Sequence, residues 1–146
     1  MTGRRSGMLA MVAAIVAMLP ALALCAPLRA DHPIVGIWRL ELPEQACTET
    51  YRIRADGTAL ITSAEEVAET TFEIADQPDA AGFYRTVNRI VKDNGKRDCT
   101  GQVTAPGHVI ATFILFHPSG DRFLMCQRAD TRACIGPLVR VKGDWI

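Results

Sequence analysis

The chain has 146 residues, with 16 Lys and Arg against 16 Asp and Glu, so its formal net charge is zero. That length suits one domain. The sequence contains no Lys/Arg run, and nucleic-acid recognition needs a basic face, so that class of partner is excluded.

The N-terminus reads as a leader. Arg4 and Arg5 form a positive start, Met8 to Leu19 is apolar, Pro20 breaks the helix, and Ala21-Leu22-Ala23 has the small-x-small pattern of a signal peptidase site. We expect a signal peptide over 1–30, cleaved after Ala23, Ala26 or Ala30, and a single β-barrel domain over 31–146. The apolar run is short for a membrane span, so no stable transmembrane segment is expected in the mature protein. A lipid anchor at Cys25 is the disfavoured alternative, because Leu24 stands where a small residue normally precedes the lipidated Cys. Removing Arg4, Arg5 and Arg29 with the leader leaves 13 Lys and Arg against 16 Asp and Glu, a net charge near −3. The expected location is periplasmic or secreted.

After the leader, Gly/Pro/Asn/Asp clusters recur at Ala55–Gly57, Asp76–Gly82, Lys92–Lys96, Ala105–Gly107 and His117–Asp121. They supply the φ values that chain reversals require. The runs between them are short and β-prone, which argues for an all-β sandwich or barrel. The first is 34–42, "IVGIWRLEL", with Trp38, Leu40 and Leu42 on one face. The next, 48–54, places Tyr51 and Ile53 together, and 58–63 follows it. Ser63 to Thr70 begins like a capping box, with Glu66 three residues after Ser63, but so short a helix is marginal and a strand edge is preferred. Strands are then expected at 69–75, with Phe72 and Ile74 on one face, and at 83–91, 99–104, 108–116, 122–128 and 134–142. The period of two fits an antiparallel sheet with one wet face. Only Val109 to Phe116 is apolar on both faces. Eight to nine strands with short links make an antiparallel meander, and closing it into a barrel removes exposed edges.

Four cysteines follow the leader: Cys47, Cys99, Cys126 and Cys134. An even set in an exported chain reads as two disulfides. If the hairpin within Phe123 to Gly136 centres on Asp130, Cys126 and Cys134 face each other within bridging distance. The preferred pairing is therefore Cys126–Cys134 with Cys47–Cys99. The second closes a loop of about fifty residues, worth on the order of 3–4 kcal/mol in the chain-entropy model. There is no Cys-x-x-Cys spacing of the kind zinc sites use.

A first strand carrying Gly36-x-Trp38, followed by a β-meander, resembles the calycin group, meaning lipocalins and similar small barrels. It is also similar to short secreted bacterial proteins described as lipocalin-like. The resemblance implies that Trp38 closes one barrel end and that Arg140, on the last strand, packs across its ring in a cation–π contact. The central Thr-Asp-Tyr motif and the C-terminal helix of lipocalins have no counterpart in this sequence.

Catalytic chemistry finds little support. His32 is expected in a mobile tail of the leader, and His108 and His117 in solvated turns about 30 Å apart by strand rise. Glu65, Glu66, Glu69 and Glu73 read as a solvated acidic edge. Ser119 lacks a nucleophile-elbow context, and Asp93-Asn94-Gly95 is a turn without the ligand spacing of a calcium loop. We therefore expect a non-catalytic barrel with no metal and no cofactor. Its pocket would be lined by Leu40, Tyr51, Ile53, Phe72 and Phe113, and its ligand would be a small hydrophobic or amphipathic molecule of the cell envelope. The alternative is a periplasmic module that binds or inhibits an envelope protein through its disulfide-stabilised scaffold.

Overall fold

The computed structural model describes residues 27–143. Residues 1–26, which hold most of the expected leader together with Cys25 and the membrane-anchor question, lie outside the described residues. Eight strands form one closed antiparallel barrel in sequence order: β1 (Gly36–Leu42), β2 (Cys47–Ile53), β3 (Thr58–Ser63), β4 (Glu66–Ile74), β5 (Phe83–Asp93), β6 (Val109–Phe116), β7 (Arg122–Cys126) and β8 (Cys134–Arg140). β8 returns to β1 through Trp38 opposite Arg140 and Arg39 opposite Val139, which closes the sheet. Two disulfides, Cys47–Cys99 and Cys126–Cys134, pin it. Cys126 and Cys134 are direct partners in the β7–β8 register.

Alternation decides which side chains enter the barrel. Trp38 and Leu40 are buried, and the register carries their face through Tyr51 and Glu49 on β2 to Ile61 and Ser63 on β3. It continues to Ala68 and Glu66 on β4. On the other side Phe72 faces Asn88, Asn88 faces Ile110, and Ile114 faces Met125. Ile34, Trp38, Leu40, Ile53, Phe72, Ile114, Phe123 and Leu138 form the apolar core.

Two sequence expectations are corrected and a third is extended. The strand expected at 99–104 is a turn, because the Asp98 carboxylate collects the backbone N–H groups of Thr100 and Gln102 and the Thr100 hydroxyl. Those local bonds compete with a sheet ladder. Packing reaches past the expected boundary at 31: Leu28 packs on the core and its N–H donates to the Ala55 carbonyl at 2.8 Å. His32 is no mobile tail residue. It is 2% exposed, and its Nδ1 accepts the Ile34 N–H at 3.2 Å, so Nε2 carries the proton and donates to the Ala75 carbonyl.

Among the described residues no helix is long and apolar enough to cross a membrane.

Candidate functional site

The barrel interior has two unlike ends. At the end where β1 begins, the Trp38 indole N–H donates to the Ile34 carbonyl at 2.8 Å. The Arg140 guanidinium lies 4.1 Å from the Trp38 ring centroid and donates to the carbonyls of Val35 (3.0 Å) and Pro33 (2.5 Å). Gly36, at φ +143°, leaves room for it: a Cβ there would sit 2.5 Å from Arg140 Nη1. Phe123 meets Trp38 edge-on at 4.7 Å between centroids, and Phe116, Tyr84 and His32 extend the aromatic stack. This end is sealed by packing and by a strap of chain fixed through its own carbonyls.

The middle of the barrel is polar. The Thr86 and Thr112 hydroxyls are 2.7 Å apart, and Thr70 donates to the Asn88 side-chain oxygen at 3.1 Å. Beyond this belt lies a cavity of about 180 Å³. Its apolar walls are Ile61, Ala68, Ile90, Ile110 and Met125, and its polar walls include Tyr51, Ser63, Asn88 and Thr112. Three carboxylates, Glu49, Glu66 and Asp98, line it as well. None of its described lining residues is Lys, Arg or His.

Each carboxylate is placed by a separate device. Glu49 accepts from the Tyr51 hydroxyl at 2.5 Å and the Ser63 hydroxyl at 2.7 Å. Burial first, and then the Glu49 charge, push the Tyr51 hydroxyl well above the usual phenol range. Asp98 comes from the loop between β5 and β6, which the Cys47–Cys99 disulfide ties down over this end; the Cys99 N–H donates to Ser63 Oγ at 2.9 Å. Glu66 opens β4 and is 6% exposed, and its Oε1 has no hydrogen-bond partner. Burial first, and the nearby Asp93 carboxylate after it, raise the Glu66 carboxyl above its ordinary value, against a hydrogen bond from Thr104. Asp93 ends β5 opposite Ala68; its Oδ1 accepts the Gly95 N–H at 2.6 Å, and its buried Oδ2 has no partner. Unpartnered buried oxygens are few in folded proteins, and each one calls for an explanation.

A surface groove lies beside the cavity. β7 has five residues against the eight of β6, so 109–112 of β6 have no partner on that side. The groove shares Ile110, Thr112 and Met125 with the cavity.

Of the expected pocket residues, only Tyr51 lines the cavity. Leu40, Ile53 and Phe72 belong to the packed core. Phe113 is opposite Arg85 and Cys126, on the outer face, since its neighbour Ile114 points inward. The acidic edge is split. Glu65 sits in the turn, exposed, while Glu66 is inside. The buried signal was present in the sequence, because steps of two back from Phe72 pass through Thr70 and Ala68 to Glu66, and two back from Tyr51 is Glu49.

The polar turn His117–Asp121 holds His117, Ser119 and Asp121 in mutual hydrogen bonds. Ser119 stands between the other two and donates to Asp121, whereas in a hydrolytic triad the His stands between the Ser and the acid. No three His, Cys, Asp or Glu side chains among the described residues converge to hold a metal ion.

Comparison with known proteins brings no match: no family model, no curated protein and no solved structure aligns significantly with this chain.

Proposed function

We propose that this chain is an exported, lipocalin-like barrel that binds a small molecule without transforming it. The observation that carries this reading is the cavity: an eight-stranded barrel can fill its interior with its own side chains, yet this one keeps about 180 Å³ open beside its packed half. That volume is below the roughly 300–1,000 Å³ of sites for drug-sized ligands. It is close to the roughly 150 Å³ that accommodates benzene, so the ligand has on the order of ten heavy atoms or fewer. In this reading the ligand enters from the adjoining groove, whose wall shares Ile110 and Met125 with the cavity. The two disulfides are compatible with an oxidising compartment and support export. The Gly36, Trp38 and Arg140 arrangement supports the lipocalin-like reading.

Native mass spectrometry of the protein recovered from the cell envelope tests the proposal. A bound species of low mass, released on unfolding, is expected. Recovery of the protein wholly without a ligand, combined with failure of a small-molecule library to shift any cavity residue, would overturn it.

A further inference from the structure

We infer that the cavity takes a small organic cation, an ammonium group held by Glu66 with its hydrocarbon part against Ile61, Ile90 and Met125. The inference rests on the binding function proposed above and specifies the chemistry of the same site.

The groups around Glu66 are hydroxyls and carboxylates. From β5 comes Asp93, from the tethered loop Asp98 and Thr104, from β2 Glu49 and Tyr51, and from β3 Ser63. The charged members are all carboxylates, and none is a cation. Glu49 is already served by two hydroxyl donors. Glu66 Oε1 and Asp93 Oδ2, in contrast, are buried acceptors with nothing to accept. A buried carboxylate is costly unless it is paired and hydrogen-bonded. Protonation relieves part of that cost, and burial favours it by raising the Glu66 carboxyl. An ammonium ion relieves it better, because it carries both the charge and three N–H donors. Cation binding and protonation of Glu66 therefore compete.

A metal ion would need more ligands. Hard cations such as calcium take six to eight oxygens, and no three acidic or imidazole side chains converge among the described residues. The apolar wall would also have no purpose for a bare ion, whereas it suits the short hydrocarbon of an amine.

The test is calorimetric titration of the oxidised protein with benzylammonium and with its neutral counterpart, benzyl alcohol, at pH 5 and pH 7.5. The expected result is that the ammonium binds at least tenfold more tightly than the alcohol at pH 7.5. That advantage is expected to shrink at pH 5, because acid favours the protonated form of the raised Glu66 carboxyl. Glu66→Gln is expected to erase the difference between the two probes, with both disulfides retained. Equal affinity for amine and alcohol in the unmodified protein would overturn the charge inference and leave the binding barrel standing. Binding of neither probe would count against both. Calcium that competes with benzylammonium at equal strength would overturn the organic reading in favour of a metal site.

Discussion

Glu66 and His32 are the two side chains whose burial conflicts most with their chemistry, and they push stability in opposite directions with pH. The Glu66 carboxyl is raised by burial, so the folded barrel binds a proton more readily than the unfolded chain does. Its contribution is fully present below the ordinary carboxyl value of 4.5 and is lost as pH rises through the folded value. Glu66→Gln should therefore raise the melting temperature most at neutral pH and least at pH 4, which thermal melts of the two proteins will show. His32 works the other way. Burial lowers it below 6.5, and its Nδ1 must stay unprotonated to accept the Ile34 N–H. Its contribution is present above 6.5 and is lost as pH falls through the folded value. Ring titration by NMR should place the His32 transition below pH 6.5. Trp38 is fully buried under Arg140. Trp38→Ala is expected to cost about 3–5 kcal/mol in chemical denaturation. A near-neutral effect would mean that this end is not sealed as described.

At the scale of elements, the loop between β5 and β6 matters most to the site. It contributes Asp98 and Thr104 to the cavity, and the Cys47–Cys99 bridge, the Cys99 N–H bond to Ser63 and the Lys96–Glu65 ion pair hold it there. Replacing both cysteines with Ser should lower stability by about 3–4 kcal/mol and raise hydrogen exchange across 94–108, while the β7–β8 hairpin keeps its own bridge. The strands themselves were largely legible, because alternation and turn residues mark them directly. Eight of the nine expected strands are present. The ninth fails because the side chain of Asp98 offers the backbone a local partner that no pattern of apolar residues reveals. Glu49 and Glu66 were legible in principle by counting in steps of two from Tyr51 and Phe72. Asp93 was not. A bulge opposite Glu69 and Thr70 adds a residue to β5, so counting by twos from buried Ile90 reaches exposed Lys92 rather than Asp93. Phe113 shows the converse: in an apolar run such as Val109–Phe116, period two cannot say which face is inside. His32 escaped because its burial depends on contacts with Ala75 and Tyr84, both more than forty residues away.

At the scale of the whole molecule, the barrel divides its labour between its ends. The end built from Trp38, Phe123, Arg140 and the strap at Pro33–Val35 supplies packing, and it lets the opposite end hold polar groups that would otherwise be unaffordable. The apolar core and the acidic cavity are separated by the Thr70–Asn88 and Thr86–Thr112 hydrogen bonds. A ligand at the acidic end therefore need not disturb the sealed one. Chemical-shift mapping of the oxidised protein during titration with benzylammonium tests this division most directly. The expected result is saturable shifts at Tyr51, Ser63, Glu66, Ile110 and Met125, with Trp38 and Arg140 unmoved. Shifts confined to the outer face, or centred on Trp38, would contradict the placement of the binding site in the cavity.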